Sequence, residues 1–205
     1  MDSSAWDARY SSVEHPWGSA PAAALSARFA ELTPGRAVDL GCGDGRHARW
    51  LADSGWTVDA VDFSSVAIEL ATSGGADGSI RYSVADARTW EPSGPVDLVA
   101  IGFLHLPVDE LVAVIAGAAT WLAPGGRLLY LGHALENFTR GVGGPPDPSI
   151  LPDIDDLARA ASGLRVRELS HLVRPQGDGH AIDILLHAQP WSGSPHRSLM
   201  DGVRE

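Results

Sequence analysis

Three glycines at alternate positions follow an apolar stretch in the first quarter of the chain. The stretch reads Ala37-Val-Asp-Leu-Gly-Cys-Gly-Asp-Gly-Arg46 and contains Gly41, Gly43 and Gly45. Glycine tolerates positive φ and lets the backbone approach a ligand without a side chain in the way, and the first amides of a following helix point to the same place. The segment predicts a strand that turns sharply into a helix at a site for a nucleotide-containing cofactor.

The spacing of these glycines distinguishes between cofactors. In the dinucleotide-binding fingerprint G-x-G-x-x-G the third glycine comes five residues after the first, whereas here Gly45 comes four residues after Gly41. The chain also contains no lysine, so it has no Tyr-x-x-x-Lys pair. Both observations oppose a nicotinamide-dependent oxidoreductase.

Later predicted strands end near acidic residues that could bind a nucleoside. Asp62 closes a strand that begins at Thr57, 21 positions after Gly41, where a carboxylate suits the two hydroxyls of a ribose. A third strand near 80–84 precedes Asp86, and a fourth runs over 96–102. Because ligands in open α/β sheets bind beyond the carboxyl ends of the strands, we expect these ends to form one site.

The pattern D-x-G-C-G-x-G from Asp39 to Gly45, the strands that follow it and the turn from Leu122 to Leu131 resemble the ordered motifs of the class I S-adenosylmethionine (SAM) methyltransferases. The resemblance implies an α/β fold with a Rossmann-like, seven-stranded, mostly parallel sheet and helices on both faces. It also implies SAM as cofactor, S-adenosylhomocysteine (SAH) as product and SN2-like transfer of a methyl group to an acceptor.

The aromatic preface W-x-x-x-Y and W-G-x-x-P, with G-R-H-A-R-W-L-A after the glycines, resembles the tellurite-resistance and thiopurine methyltransferase-like branch of this family. In that branch an asparagine commonly follows the arginine, where this chain has His47. The difference leaves the substrate open.

The resemblance implies a set of cofactor-binding residues. Asp62 is expected to bind the ribose, Asp86 and the Ala87 amide to read the adenine, and Ile101 and Gly102 to face the methyl group. The full set is Tyr10, Trp17, Asp39, Gly41, Cys42, Gly43, Gly45, Arg46, Asp62, Phe63, Asp86, Ala87, Ile101 and Gly102.

Several of these residues have alternative interpretations. Asp39 either braces the glycine loop or binds the SAM ammonium group. Arg46 pairs with the SAM carboxylate or with Asp39, or is a solvated residue, since a cation at a helix start is unfavourable without an anionic partner. Tyr10 and Trp17 cover the sulfonium or substrate through cation–π attraction, or only pack ahead of the next helix. Cys42, the single cysteine, is interpreted as a small turn residue.

Two histidines are candidate catalytic bases. His105 follows the fourth strand and His133 ends the fifth, and a neutral imidazole at either place accepts a proton from a hydroxyl, amine or thiol. In the alternative interpretation His105 is a pocket wall and His133 anchors the loop after it. A base is optional, because alignment alone lowers the barrier to methyl transfer. His171, His180 and His187 show no ligand-like spacing, so no metal site is predicted.

Strands alternate with helical patterns from Gly35 onward, which predicts a parallel sheet covered on both faces. The predicted strands are 36–41, 57–62, 80–84, 96–102, 126–132, 164–173 and 181–188, and the predicted helices are 22–32, 46–54, 64–71, 108–122 and 153–161. We expect one domain over 1–190, with 1–34 as an N-terminal cap and 133–152 as a substrate lid loop, followed by a C-terminal tail over 191–205.

Composition narrows the function. The chain is 44% apolar and 20% charged, with a formal net charge of −11. It lacks both the apolar run of about 20 residues that a membrane span needs and the pattern of a signal peptide, so we expect a cytoplasmic protein with no membrane partner. The negative charge, without a basic stripe, disfavours nucleic acid. The predicted function is methylation of a small molecule by a monomer or homodimer; the alternative is a non-catalytic SAM-binding regulatory or partner protein.

Overall fold

The computed structural model of the chain describes residues 3–12, 18–74 and 78–191. The strands are β1 (Arg36–Leu40), β2 (Thr57–Asp62), β3 (Ile80–Val84), β4 (Val96–Gly102), β5 (Leu122–His133), β6 (Arg165–Gln176) and β7 (Gly179–Gln189). The helices are α1 (Ser3–Ser12), α2 (Ala23–Phe29), α3 (Arg46–Asp53), α4 (Ser65–Ser73), α5 (Val108–Ala119), α6 (Leu135–Arg140) and α7 (Ile154–Ala160), with a single 3₁₀ turn at Pro148–Ile150.

The seven strands form one sheet in the order β3-β2-β1-β4-β5-β7-β6. The first five in this order pair in parallel, while β7 is antiparallel to both β5 and β6. The predicted seven-stranded, mostly parallel Rossmann-like sheet is therefore confirmed. The strand order reverses between β1 and β4, and such a switch point opens a crevice at the carboxyl ends of the strands.

The core lies on both faces of the sheet. Successive residues of β4 alternate between the faces: Val99 and Ile101 belong to the cluster that includes α5 and α7, whereas Leu98 and Ala100 belong to the cluster that includes α2 and α3. All four side chains are fully buried. A strand covered on both faces reads as a continuous apolar run, as the sequence of β4 does.

Three segments differ from the sequence prediction. The aromatic preface contains a helix, α1, that no predicted element covers. The substrate lid loop expected over 133–152 begins with the helix α6, so it is not a loop throughout. Strand β5 begins four residues earlier than predicted, because Leu122 already pairs with Val96 before an irregularity in the ladder.

Within the described residues, no helix combines the length and apolar character needed to cross a membrane.

Candidate active site

The glycine-rich segment makes a sharp turn between β1 and α3. Gly41, Gly43 and Gly45 have φ values of 76°, 56° and 83°. The amides of Gly41 and Cys42 both donate to the carbonyl of Val61 in β2, at 2.8 and 2.9 Å. These bonds fold the loop over the neighbouring strand and bring the carboxyl ends of β1 and β2 together.

Asp62 holds the loop from the end of β2. Its Oδ2 accepts the Gly43 amide and its Oδ1 accepts the Ser64 amide, each at 2.9 Å. Burial raises the pKa of Asp62, while these backbone amides oppose the rise. Each carboxylate oxygen has a second lone pair, and Asp62 lines a cavity at the ends of the strands. The residue can therefore hold the loop and accept ribose hydroxyls at the same time.

A cavity of about 1010 Å³ lies beyond the carboxyl ends of β1, β2, β4 and β5. This is where ligands bind in open α/β sheets. Trp17 lies outside the described residues. Most of the other residues singled out from the sequence line the cavity, namely Tyr10, Gly41, Cys42, Gly43, Arg46, Asp62, Phe63, Asp86, Ala87, Gly102, His105 and His133.

Three residues of the predicted cofactor set are not among the cavity walls. Ile101 lies in the core cluster that includes α5, because side chains alternate along β4. A Cβ on Gly45 would lie 2.8 Å from the Tyr82 hydroxyl, so this glycine allows α3 to pack closely against β3. Asp39 is fully buried within β1. In this structure Ile101 and Gly45 have packing roles, and their predicted contacts with the cofactor stay predictions.

Asp39 is a buried carboxylate with unsatisfied oxygens. Burial raises its pKa to about 7, although the nearby Ala48 amide and the charge of Arg46 lower it. Neither oxygen has a hydrogen-bond partner of good geometry within the described part of the chain. The Ala48 amide approaches the carboxylate without reaching good hydrogen-bond geometry, so bracing of the loop and binding of the SAM ammonium group both stay predictions for Asp39. A cationic group brought nearby would offset the cost of its burial.

Arg46 opens α3 and lines the cavity. Its guanidinium carbon lies 5.9 Å from the ring centre of Phe103. Burial lowers the pKa of Arg46, while the charges of Asp44 and Asp39 oppose this effect. These surroundings favour an anionic partner for Arg46 over the interpretation as a solvated helix residue.

Phe103 has the single positive φ, 57°, found at a non-glycine residue in the described ranges. It follows β4 directly and lines the cavity. Left-handed backbone at a bulky residue is strained and concentrates at functional sites. Sequence reasoning missed Phe103, because nothing in its residue type marks this conformation.

Asp86, the predicted adenine ligand, lines the cavity but is already engaged. Arg88 Nε donates to Oδ1 at 3.0 Å, and Arg88 Nη2 donates to Oδ2 at 2.6 Å. These side-chain bonds lower the pKa of Asp86. Arg88 also donates to Glu110 of α5 at 3.0 Å. Arg88 and a base edge would therefore compete for the same carboxylate.

Helix α1 covers part of the cavity. Its buried residues Trp6 and Tyr10 line the cavity wall, and a Cβ on Gly43 would lie only 2.5 Å from the Tyr10 hydroxyl. The Ser64 hydroxyl donates to Asp7 at 2.6 Å, which ties α1 to the start of α4. Tyr10 thus both packs against the domain and covers the glycine loop.

His47 connects α3 to the start of α2. Its Nε2 accepts the Ala22 amide at 3.2 Å. Burial, together with the charge of Arg46, lowers the pKa of His47 to about 3, so the ring is neutral at physiological pH. A Cβ on Gly102 would lie 2.7 Å from Cε1 of His47. The glycine at the end of β4 therefore leaves room for this ring.

His105 lies in a stack of rings. Its ring centre is 5.7 Å from that of Trp6 and 6.4 Å from that of His133, with interplanar angles of 11° and 3°. Burial, with contributions from His133 and Arg9, lowers the pKa of His105 to about 4. Its buried Nε2 has no hydrogen-bond partner among the described residues. His105 is therefore a neutral ring in the cavity wall.

His133 ends β5 beside a carboxylate that sequence reasoning missed. Its Nδ1 lies 2.9 Å from Oδ1 of Asp183, and Arg174 Nε donates to Oδ2 of the same carboxylate at 2.6 Å. All three side chains line the cavity. No local pattern links these residues, because they meet only when β5, β7 and β6 pair.

The segment after α6 forms a wall against His133. Asn137 donates to the Gly143 carbonyl at 2.8 Å and accepts the Ile182 amide at 2.7 Å, so it ties this segment to β7. A Cβ on Gly144 would lie 3.0 Å from Cδ2 of His133. The glycines of the predicted lid therefore allow a close approach of backbone to the imidazole.

Residues 37–126 match a family model described as "Methyltransferase domain". The chain is 36% identical over 124 residues to the trans-aconitate 2-methyltransferase of Streptomyces avermitilis, a match that covers 54% of this chain and 44% of that protein. It is 34% identical over 101 residues to the ribosomal RNA small subunit methyltransferase C of Alcanivorax borkumensis, covering 46% and 31% of the two chains. The matches thus span less than half the length of these relatives.

Solved structures share the fold. TehB from Haemophilus influenzae superposes with a TM-score of 0.71 at 15% identity, over 90% of this chain and 67% of that one. The magnesium protoporphyrin IX methyltransferase ChlM from Synechocystis, solved with bound SAM, gives a TM-score of 0.64 at 19% identity, over 82% and 77%. The chain therefore contains a region similar to a methyltransferase domain and shares its fold with TehB and with a methyltransferase solved with bound SAM.

The site fits SAM on the geometry of its own residues. A Cβ on Gly41 would lie 2.9 Å from the Leu104 side chain, and one on Gly43 would collide with Tyr10, so the turn admits only bare backbone. Asp62 presents a buried carboxylate to the cavity. The loop therefore offers closely approachable backbone and an acid where a nucleoside with a charged tail would bind.

Proposed function

We propose that this protein transfers the methyl group of SAM to a small-molecule acceptor. Asp62 would bind the ribose, the loop from Gly41 to Gly43 the charged tail, and the segment from Asp86 to Ala87 the adenine. When bound, SAM supplies an electrophilic methyl group on a sulfonium, with SAH as the other product. The protein's own contribution is to align the acceptor and to exclude water, which can account for about 7–11 kcal/mol of a barrier.

The roofed cavity is the observation that carries this proposal. Tyr10 of α1 covers the glycine loop, and Gly144 brings the segment after α6 against His133. A cavity of about 1010 Å³ closed from these two sides suits a metabolite better than a nucleic-acid strand. The formal net charge of −11 also opposes binding to a phosphate backbone.

Of the two candidate bases, His133 suits the role better. A base becomes positively charged when it takes a proton, and Asp183 lies 2.9 Å from His133 to balance that charge. His105 has the opposite surroundings, because burial and the charges of His133 and Arg9 disfavour its protonated form. We therefore assign proton acceptance to His133 and a wall position to His105.

Calorimetric titration with SAH, followed by a search for acceptors, tests the proposal. We expect SAH to bind and SAH formation from SAM to depend on one compound class in a panel of small hydroxyl, thiol, amine and carboxylate acceptors. A structured RNA belongs in the same panel. Activity on the RNA alone would contradict a small-molecule acceptor, and failure to bind SAH would contradict the cofactor site.

A further inference from the structure

The register of the last three strands places a carboxylate beside His133. His133 pairs directly with Asp183 in the antiparallel ladder of β5 and β7, and Asp183 pairs with Leu172 of β6. Residues directly opposite each other in such a ladder project from the same face. Arg174 lies two residues beyond Leu172 on β6 and reaches the same carboxylate diagonally.

The two contacts of Asp183 divide its oxygens between two neighbours. Arg174 Nε donates to Oδ2 at 2.6 Å, and Arg174 Nη1 also bonds to Gln176 Oε1, which fixes the guanidinium. His133 Nδ1 lies 2.9 Å from Oδ1, at ion-pair distance, although neither atom makes a hydrogen bond of good geometry in this conformation. Only 3% of the Asp183 side chain is exposed, so water offers little alternative to these partners.

We propose that Asp183 is a positioning residue that fixes His133 as the tautomer with its proton on Nδ1 and its lone pair on Nε2. An ionised carboxylate only accepts hydrogen bonds. Arg174 donates to Oδ2, and Nδ1 of His133 lies 2.9 Å from Oδ1, so a small rotation of the ring would let a protonated Nδ1 donate to the remaining oxygen. Nε2 is then left as the basic nitrogen.

This inference rests on the proposed function and narrows its acceptor to a nucleophile that carries a removable proton, such as a hydroxyl, a thiol or an amine. The acceptor's lone pair forms the bond to the methyl carbon, the carbon–sulfur bond breaks with its electron pair left on sulfur, and the acceptor's proton passes to Nε2 of His133. Asp183 balances the imidazolium that results. An acceptor ionised at neutral pH, such as a carboxylate, would need no such base.

Nitrogen NMR of the full chain labelled with ¹⁵N-histidine tests the tautomer without any acceptor. Long-range ¹H–¹⁵N spectra distinguish a protonated ring nitrogen from a bare one, and a His133→Gln variant assigns the His133 signals by their loss. We expect wild-type His133 to show a protonated Nδ1 and a bare Nε2. The opposite pattern in the wild type would overturn the proposal.

In Asp183→Asn, we expect the tautomer to reverse. Arg174 Nε still requires an acceptor, so the amide oxygen stays with Arg174 and the amide NH₂ turns towards His133. Nδ1 must then accept, and the ring proton moves to Nε2. The matched control is Asp178→Asn, in the exposed turn between β6 and β7, which should leave the His133 spectrum unchanged. A folded Asp183→Asn protein with the wild-type tautomer would contradict the proposal.

The proposal for the His133 tautomer and the proposal for the cofactor site can be refuted independently of each other. SAH binding with a protonated Nε2 on wild-type His133 would overturn the role of Asp183 and leave the methyltransferase proposal intact. A protonated Nδ1 in a protein that does not bind SAH would do the reverse. If Asp183→Asn does not fold, the wild-type spectrum still decides the assignment.

Discussion

The two ends of the cavity are built in different ways. At the cofactor end, backbone does the positioning, because the amides of Gly41 and Gly43 bond to residues at the end of the adjacent strand β2. At the acceptor end, side chains do it, because His133, Asp183 and Arg174 come from three strands that are distant in sequence. A backbone turn leaves a spacing pattern in the sequence, whereas a cross-strand cluster leaves none.

The buried carboxylates of the two ends also differ. Both oxygens of Asp183 have a close cationic or imidazole neighbour. Neither oxygen of Asp39 has a hydrogen-bond partner among the described residues, and its pKa is raised accordingly. At the acceptor end Asp183 therefore has an arginine and an imidazole close by, although its Oδ1 has no hydrogen bond of good geometry, whereas the cofactor end carries a cost that a cationic ligand group nearby could relieve.

The largest expected effect is on the pH dependence of stability through Asp39. Its pKa is raised from 3.8 to about 7 in the folded protein. Asp39 therefore contributes to the free energy of unfolding in full below pH 4, and this contribution is lost as pH rises towards 7. The reason is that the folded state keeps the proton up to a higher pH than the unfolded state does. At 1.36 kcal/mol per pKa unit, the free energy of unfolding of the wild type should fall by roughly 3 kcal/mol between pH 5 and pH 8 because of this group. We expect this fall to be absent in Asp39→Asn.

Urea unfolding of wild type and Asp39→Asn at the two pH values measures this difference. The matched control is Asp53→Asn, at an exposed position of α3, which should keep the wild-type pH dependence. If the free energy of unfolding depended on pH equally in all three proteins, the pKa of Asp39 would not be raised by burial. The contrast between the two ends of the cavity would then be wrong.

The next effect concerns the affinity for SAH. Asp62→Ala removes an acceptor that serves two backbone amides and the proposed ribose contact. Hydrogen bonds to charged groups contribute about 1.5–3 kcal/mol each, so we expect the dissociation constant for SAH to rise about 100-fold. Calorimetry measures it, with Asp53→Ala as control. The ¹⁵N spectrum of His133 should not change; a changed tautomer would mean that the two ends are coupled.

A smaller effect should be confined to the acceptor end. Gly144 has a φ of 81°, and a Cβ there would lie 3.0 Å from both His133 Cδ2 and Asn137 Nδ2. Gly125 has a nearly equal φ of 85° but nothing within 4 Å of a Cβ, so Gly125→Ala isolates the backbone strain. We expect Gly144→Ala to lower the free energy of unfolding by about 2 kcal/mol and Gly125→Ala by about half as much.

Denaturant unfolding compares the two glycine variants, and SAH titration tests the separation of the two ends. The affinity for SAH should stay within about two-fold of wild type in both. Equal losses of stability would show that Gly144 is needed only for its backbone conformation and not for its approach to His133.

The sequence predicts those parts of the molecule that depend on local pattern. Alternation and glycine spacing predict the sheet and the sharp turn between β1 and α3, and both are found, although β5 begins four residues earlier than predicted. The same reasoning places Ile101 in the site, because it considers only that this residue lies near the end of β4. It does not consider which face of the sheet the Ile101 side chain occupies. Asp183 and Phe103 are missed for a related reason. The contact of Asp183 with His133 depends on the register of β5 with β7, and the position of Phe103 depends on a positive φ that its residue type does not indicate.

The smallest effect tests the adenine end, where a side chain competes with the ligand. Arg88 donates to both oxygens of Asp86 and also to Glu110, and about half of its side chain is exposed. Exposed ion pairs are weak, so freeing the carboxylate should change affinity only slightly. We expect Arg88→Ala to tighten SAH binding about two- to three-fold, with Arg165→Ala, an exposed arginine of β6, as control. Weaker binding in Arg88→Ala would show that Arg88 orients Asp86 for the base instead of competing with it, and the adenine end would then depend on side-chain clusters as the acceptor end does.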